Sequence, residues 1–164
     1  NSPAEAEAAV RACRYPPAGA RSYGPLRANY WAGADYFTHA NAEVCCIVMV
    51  ETAEAVRLVE DIVSVPGVDA VYVGPADLSV SLGLSPAPDH AEEAFTSALG
   101  RIVDACRRHG VVPAIAGNQV TAPRRIEEGF AMVEVASDAR LLAAAAAQAL
   151  AALRPATEAR TAYL

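Results

Sequence analysis

Two carboxylates close consecutive apolar runs. The first run, Val44-Cys45-Cys46-Ile47-Val48-Met49-Val50, ends on Glu51, and the second, Ala70-Val71-Tyr72-Val73, ends on Gly74-Pro75-Ala76-Asp77. Glu51 and Asp77 are 26 positions apart, room for a strand end, a crossover helix and the next parallel strand. Equivalent ends of neighbouring parallel strands lie about 5 Å apart, so two such carboxylates can share one hard divalent cation in an all-oxygen shell completed by water. The mouth formed by strand C-termini is where α/β sheets and barrels place their chemistry. Patterning alone leaves a second reading open, in which the two acids only cap helices or bind loop backbone. Gly74-Pro75-Ala76 is equally open: an approach for an anion to backbone N–H groups, or an ordinary strand-exit turn.

The elements that must position these residues follow from periodicity and punctuation. Pro3 and the Ala/Glu run after it predict a helix over 3–13, with Asn1 or Ser2 as cap. The prolines and glycines of 14–25 predict a loop, and 26–40, with Tyr30, Trp31, Tyr36 and Phe37, one or two short outer helices. Then βα units alternate. Strand 44–50 is apolar throughout, the pattern of burial on both faces. A helix runs from Thr52 to about 64, followed by Pro66-Gly67 and strand 69–73. Leu78-Ser79-Val80-Ser81-Leu82-Gly83 reads as a loop leading to Pro86 and Pro88. A helix over 90–108 ends at Gly110. Strand 111–116, helix 120–128, strand 130–136 and a helix over 139–153 opened by Ser137-Asp138 complete the chain.

The order, one leading helix and then βα four times, predicts a parallel sheet with right-handed crossovers in a single α/β domain spanning 1–164. Four strands do not close a (β/α)₈ barrel, which typically takes about 250 residues, so the expectation is half a barrel or a small open sheet. The chain opens at Asn1 directly in a helical pattern, the expected look of a cut sequence.

Composition narrows the chemistry. Hydrophobic residues make up 54% and charged residues 20%, enough for a sizeable core. The net charge of −6, with no basic patch, argues against nucleic acid and for cytoplasmic solubility. All 13 basic residues are arginine, so no lysine is available for a Schiff base; carbonyl chemistry must use a metal or acid–base groups. Cys13, Cys45, Cys46 and Cys106 lack C-x-x-C spacing and read as buried thiols of a reducing compartment. The alanine-rich stretch 141–153, ending at Arg154, is too short to span a bilayer, and no signal peptide is visible.

Several stretches together resemble one family, the metal-dependent 2-oxo-acid aldolases of the HpcH/HpaI type, related to the citrate lyase β subunit. They are Arg14-Tyr15-Pro16-Pro17-x-Gly19-x-Arg21, Val50-Glu51-Thr52, Pro66-Gly67-Val68-Asp69-Ala70-Val71, Gly74-Pro75-Ala76-Asp77-Leu78-Ser79 and the late Ser137-Asp138. The resemblance implies a TIM barrel of which this chain is the C-terminal portion. It also implies a divalent cation, Mg²⁺, Mn²⁺ or Co²⁺, held by Glu51 and Asp77, and a 2-oxo-acid carboxylate held by backbone N–H groups around Ala76 and Asp77, with Gly74 beside them. The implied reaction cleaves a 4-hydroxy-2-oxo acid to pyruvate and an aldehyde, or runs in reverse, in a homo-oligomer. Met49 stands where the family commonly has Gln. The family's catalytic histidine and oxyanion-stabilising arginine belong to early strands, upstream of Asn1. Two other readings use the same scaffold: a CoA-ester lyase of the citrate lyase β type, for which no phosphate loop is present, and an inert half-barrel.

The remaining polar residues read as structural. Arg14 and Arg21 are expected to pair with surface carboxylates, Ser79 and Ser81 to satisfy loop backbone, and Asp138 to cap a helix. His39, His90 and His109 are expected to face solvent, and Trp31 to pack in a core or interface.

Overall fold

The computed structural model describes residues 1–153; Arg154, expected to end the alanine-rich run, lies outside the described residues. Helix α1 (Pro3–Cys13) is capped by Ser2, whose hydroxyl accepts from the Glu5 amide. After the proline loop come α2 (Leu26–Ala32) and α3 (Tyr36–Glu43). Then β1 (Ile47–Met49), α4 (Ala53–Arg57), α5 (Val59–Val63), β2 (Ala70–Val73), α6 (Pro75–Ser81), α7 (Glu93–His109), β3 (Val112–Ile115), α8 (Ala122–Glu127), β4 (Met132–Val133) and α9 (Asp138–Leu153) follow. The strands form one sheet in chain order, β1-β2-β3-β4, each neighbouring pair parallel.

The strands are shorter than the apolar runs that announce them, although backbone bonds carry the ladder beyond their ends, from Asp69 to Cys46 and from Val50 to Tyr72. Sequence patterning expects burial on both faces, and one face meets it. Val50, Val71, Val73 and Ile115 are buried against helices. Helix α7 contributes Phe95, Ala98, Leu99, Ile102, Val103 and Cys106, a stripe at three- and four-residue spacing. On the other face, Ile47 is 47% and Met49 53% exposed, and Val112 and Met132 are also open. No described element covers that face, the inner face of a curved half-barrel. The expected helix over 52–64 breaks at Leu58 into α4 and α5.

The largest correction is α6. Residues 78–83 were expected as loop, yet Pro75–Ser81 is helical. Proline in the first turn is preset for helix, Leu78 is fully buried, and the Ser79 hydroxyl bonds back to the Pro75 carbonyl at 2.7 Å. Helix α7 begins later than expected because His90 is drawn into the preceding loop, with one ring nitrogen 2.8 Å from the Ser85 carbonyl and the other 3.1 Å from Glu92. His90 is therefore enclosed rather than solvent-facing. His39 and His109 pair with Glu43 and Glu60 at the surface.

Other expectations divide. Arg14 pairs with Asp69 at 3.4 Å and donates to the Val44 carbonyl. Arg21 instead stacks over Tyr15 and donates to the Tyr36 hydroxyl. Cys46 and Cys106 are buried and Cys13 half-buried, but Cys45 is exposed. Burial first, then neighbouring Cys13, pushes the Cys46 thiol up to about 11. Trp31 is 90% exposed, so it is not a core residue of this chain. Ser137, not Asp138, stands before α9; Asp138 is its first residue and accepts from the Ala139 amide.

Candidate metal centre

The sheet register continues past the strand ends. Met49 pairs with Tyr72, Tyr72 with Ala114 and Ala114 with Met132. Backbone bonds from Val50 to Tyr72, Ala116 to Val73 and Glu134 to Ile115 extend the ladder. Two residues on, Glu51, Gly74, Ala116 and Glu134 therefore form one row at the C-terminal rim, all on the inner face.

Glu51 is half-buried, and its Oε2 is buried without any hydrogen-bond partner among the described residues. It does not cap the following helix. That role belongs to Thr52, whose hydroxyl accepts from the Ala55 amide at 3.1 Å. Gly74 supplies the space: a Cβ there would overlap Glu51 Oε2, well inside van der Waals contact. Burial, and then the charge of Asp77, raise the Glu51 pKa above the ordinary carboxylate range. The two acids thus feel each other electrostatically. Asp77 lies exposed in the first turn of α6. In that turn the Ala76 and Asp77 amides precede the first intrahelical acceptors and point outward.

An orphaned, partly desolvated carboxylate beside a second one, in a cradle only glycine leaves open, is an unfavourable arrangement by itself. A divalent cation would satisfy both charges. Among the described residues no group of three or more His, Cys, Asp and Glu side chains forms a metal cluster. Two carboxylates plus water and ligand oxygens is the set Mg²⁺ commonly accepts. Met49, one layer below, is apolar and offers no hydrogen bond to a ligand.

The Glu51 shift has a testable sign. A carboxyl whose folded pKa is raised favours the native state at low pH, and that contribution is lost as pH rises through the folded value. Glu51→Gln should therefore raise the metal-free melting temperature at pH 7 by roughly 1–3 °C. The difference from the parent should shrink on acidification through the carboxylate range. Equal melting temperatures at pH 7 would contradict the strain assigned to Glu51.

Sequence reasoning missed two features. Tyr72 Oη donates to Glu134 Oε2 at 2.7 Å, across the inner face. The only signal was an acid at the inner-facing position of the Phe130–Ala136 run. Arg125, 1% exposed, pairs with Asp89 and Glu128 beneath the Phe95 ring, and nothing in its own segment marks it as buried.

Four parallel βα units in chain order have the architecture of part of an α/β barrel. The chain matches the family described as HpcH/HpaI aldolase/citrate lyase over residues 1–154, and it belongs to that family. It is 43% identical over 152 residues to a 4-hydroxy-2-oxo-heptane-1,7-dioate aldolase of Escherichia coli, covering 90% of this chain and 57% of the relative. It is 41% identical over 147 residues to a hydroxypyruvate/pyruvate aldolase of Pseudomonas aeruginosa, covering 87% of this chain and 54% of the relative. The chain thus spans just over half the length of these relatives. Among solved structures, an HpcH/HpaI aldolase/citrate lyase family protein from Burkholderia cenocepacia superimposes with a TM-score of 0.81 at 36% identity, over 94% of this chain and 62% of that one. An HpcH/HpaI aldolase from Desulfitobacterium hafniense gives 0.79 at 26% identity, over 94% and 62%. The fold is part of their TIM-barrel-type α/β fold.

Proposed function

We propose that residues 1–164 act as one unit, the metal-binding part of an aldolase barrel, in the cleavage of a 4-hydroxy-2-oxo acid to pyruvate and an aldehyde or in the reverse addition. The observation that carries this reading is the buried, unpartnered Glu51 Oε2 beside Gly74 and within the field of Asp77. Glu51 and Asp77 would hold Mg²⁺, Mn²⁺ or Co²⁺. When bound, the cation would supply Lewis-acid stabilisation of the negative charge that develops on the 2-oxo oxygen as the C3–C4 bond breaks or forms.

The chain's own residues would do the rest of the positioning. The Ala76 and Asp77 amides orient the oxo-acid carboxylate by charge-assisted hydrogen bonds. Gly74 keeps the floor low enough for close approach. No histidine is among the described residues lining the cleft beside the site, and the base and the oxyanion arginine are assigned outside this segment, as the family resemblance implies. Pyruvate bears the methyl group whose protons such a site would exchange. In D₂O with Mg²⁺, and imidazole added to stand in for the base, loss of the pyruvate C3-proton NMR signal is expected, and EDTA should stop it. Exchange that survives EDTA would overturn the metal reading.

We further infer a homo-oligomer in the cytoplasm. None of the α9 side chains is buried, and Leu141, Leu142, Leu150 and Leu153 are exposed on it, as are Tyr30 and Trp31 on α2. Such apolar area favours burial against another copy. The unpaired thiols and acidic charge suit a reducing compartment. No helix among the described residues is long and apolar enough to cross a membrane.

A further inference from the structure

A cleft of about 330 Å³ opens beside the proposed oxo-acid site, lined by Ala76, Ala116, Gly117, Glu134, Ser137 and Arg140 among others. Its wall shares Ala76 with that site, and its floor is made of small residues. On the rim row, Gly74 and Ala116 separate Glu51 from Glu134. Three strand spacings of about 4.8 Å put the outer backbones about 14 Å apart, and the two inward side chains span part of that gap. A molecule anchored at Ala76 and Asp77 therefore extends over Gly74 and Ala116 toward Glu134.

Glu134 is not free to turn away. One of its oxygens accepts from Tyr72 Oη at 2.7 Å. Burial, and then the Glu134 carboxylate, push the Tyr72 hydroxyl up to about 12, so tyrosine remains the donor. That neutral donor is the side-chain partner of Glu134 among the described residues. Its charge is thus left in the cleft with the second oxygen available as an acceptor. Arg140 lines the same cleft but is exposed, at the start of α9, where solvent and salt screen it.

We propose that Glu134, positioned by Tyr72, determines aldehyde specificity, favouring acceptors that carry hydroxyl groups over acceptors that carry a carboxylate tail. The inference rests on the aldolase reading for the role of the cleft. A hydroxyl donates a charge-assisted hydrogen bond to the second oxygen, whereas an acidic tail meets a like charge held in place. An acidic tail turned toward Arg140 is the competing arrangement.

The test uses the full chain with ¹³Cζ-labelled tyrosine, Mg²⁺ and pyruvate, titrated with glyceraldehyde or with succinic semialdehyde while the Tyr72 resonance, assigned by Tyr72→Phe, is followed. Half-saturation by glyceraldehyde is expected at a concentration about tenfold lower. Glu134→Gln should bring the two within about twofold, with Mn²⁺ binding by EPR unchanged. Equal or tighter binding of succinic semialdehyde, no displacement by either aldehyde, or a preference that survives Glu134→Gln would overturn the proposal. If the preference holds but Mn²⁺ does not bind through Glu51 and Asp77, the metal reading falls and the selectivity of Glu134 stands.

Discussion

Asp77→Asn is expected to weaken Mn²⁺ binding by roughly 100-fold or more, because it removes one of two charges from a hard-cation site while keeping the side chain's shape. The fold gives Asp77 no other task. It forms no salt bridge or side-chain hydrogen bond among the described residues, and its helix is secured by Leu78 and Ser79 instead. Stability of the metal-free chain should therefore stay within about 0.5 kcal/mol of the parent. A second effect accompanies the first. Asp77 is one of the two causes that raise the Glu51 pKa, so its neutralisation should lower the Glu51 titration, visible by ¹³C NMR of the carboxyl. Retained Mn²⁺ affinity in EPR titration, or an unmoved Glu51, would show that the two acids do not form one site.

Arg125→Ala is expected to cost about 2–3 kcal/mol of stability in urea denaturation. The guanidinium is 1% exposed and joins three parts of the molecule: Asp89 in the loop after α6, Glu128 at the end of α8, and the Phe95 ring of α7. Its removal leaves Asp89 and Glu128 to the more exposed Arg124, which also pairs with both, and opens a void beside an aromatic ring. The same loop carries Pro86, Ala87 and Pro88, which wall the cleft in front of Glu134. Amide hydrogen exchange across 85–92 should accelerate more than exchange in β2 and β3. A loss below about 1 kcal/mol would mean that the pairs are screened like surface ones.

Much of the architecture was legible because periodicity and punctuation agreed. The four apolar runs became four parallel strands in chain order, and Gly110 closes α7 in the left-handed conformation expected of a C-terminal cap. Helix α6 was not legible. Its last four residues alternate Leu-Ser-Val-Ser, a strand-like pattern, and what makes them helical is the tertiary burial of Leu78 and Ser79. Trp31 shows the opposite limit: residue type favours burial, but the described chain offers it no partner.

The candidate site was legible as residue types and spacing. Glu51, Gly74, Ala76 and Asp77 stood out as two strand-end acids and a glycine turn, a pattern that equally fits helix caps and a strand exit, and the family resemblance is what favoured a metal. What makes the site unusual was not readable: the orphaned Oε2 and its contact with Gly74 depend on register between strands that sequence alone does not align. The Tyr72–Glu134 bond spans 62 positions and follows from the same register. Arg125 needed Asp89, 36 residues away, to be recognised as a buried ion-pair centre.

The central claim is that Glu51 and Asp77 grip one divalent cation above Gly74. Anomalous diffraction from crystals grown with Mn²⁺ tests it most directly. The account predicts a single manganese peak within about 2.3 Å of an oxygen of each carboxylate, lost in Asp77→Asn crystals. A peak bound to only one of the two, or carboxylates turned away from each other with manganese elsewhere, would contradict it.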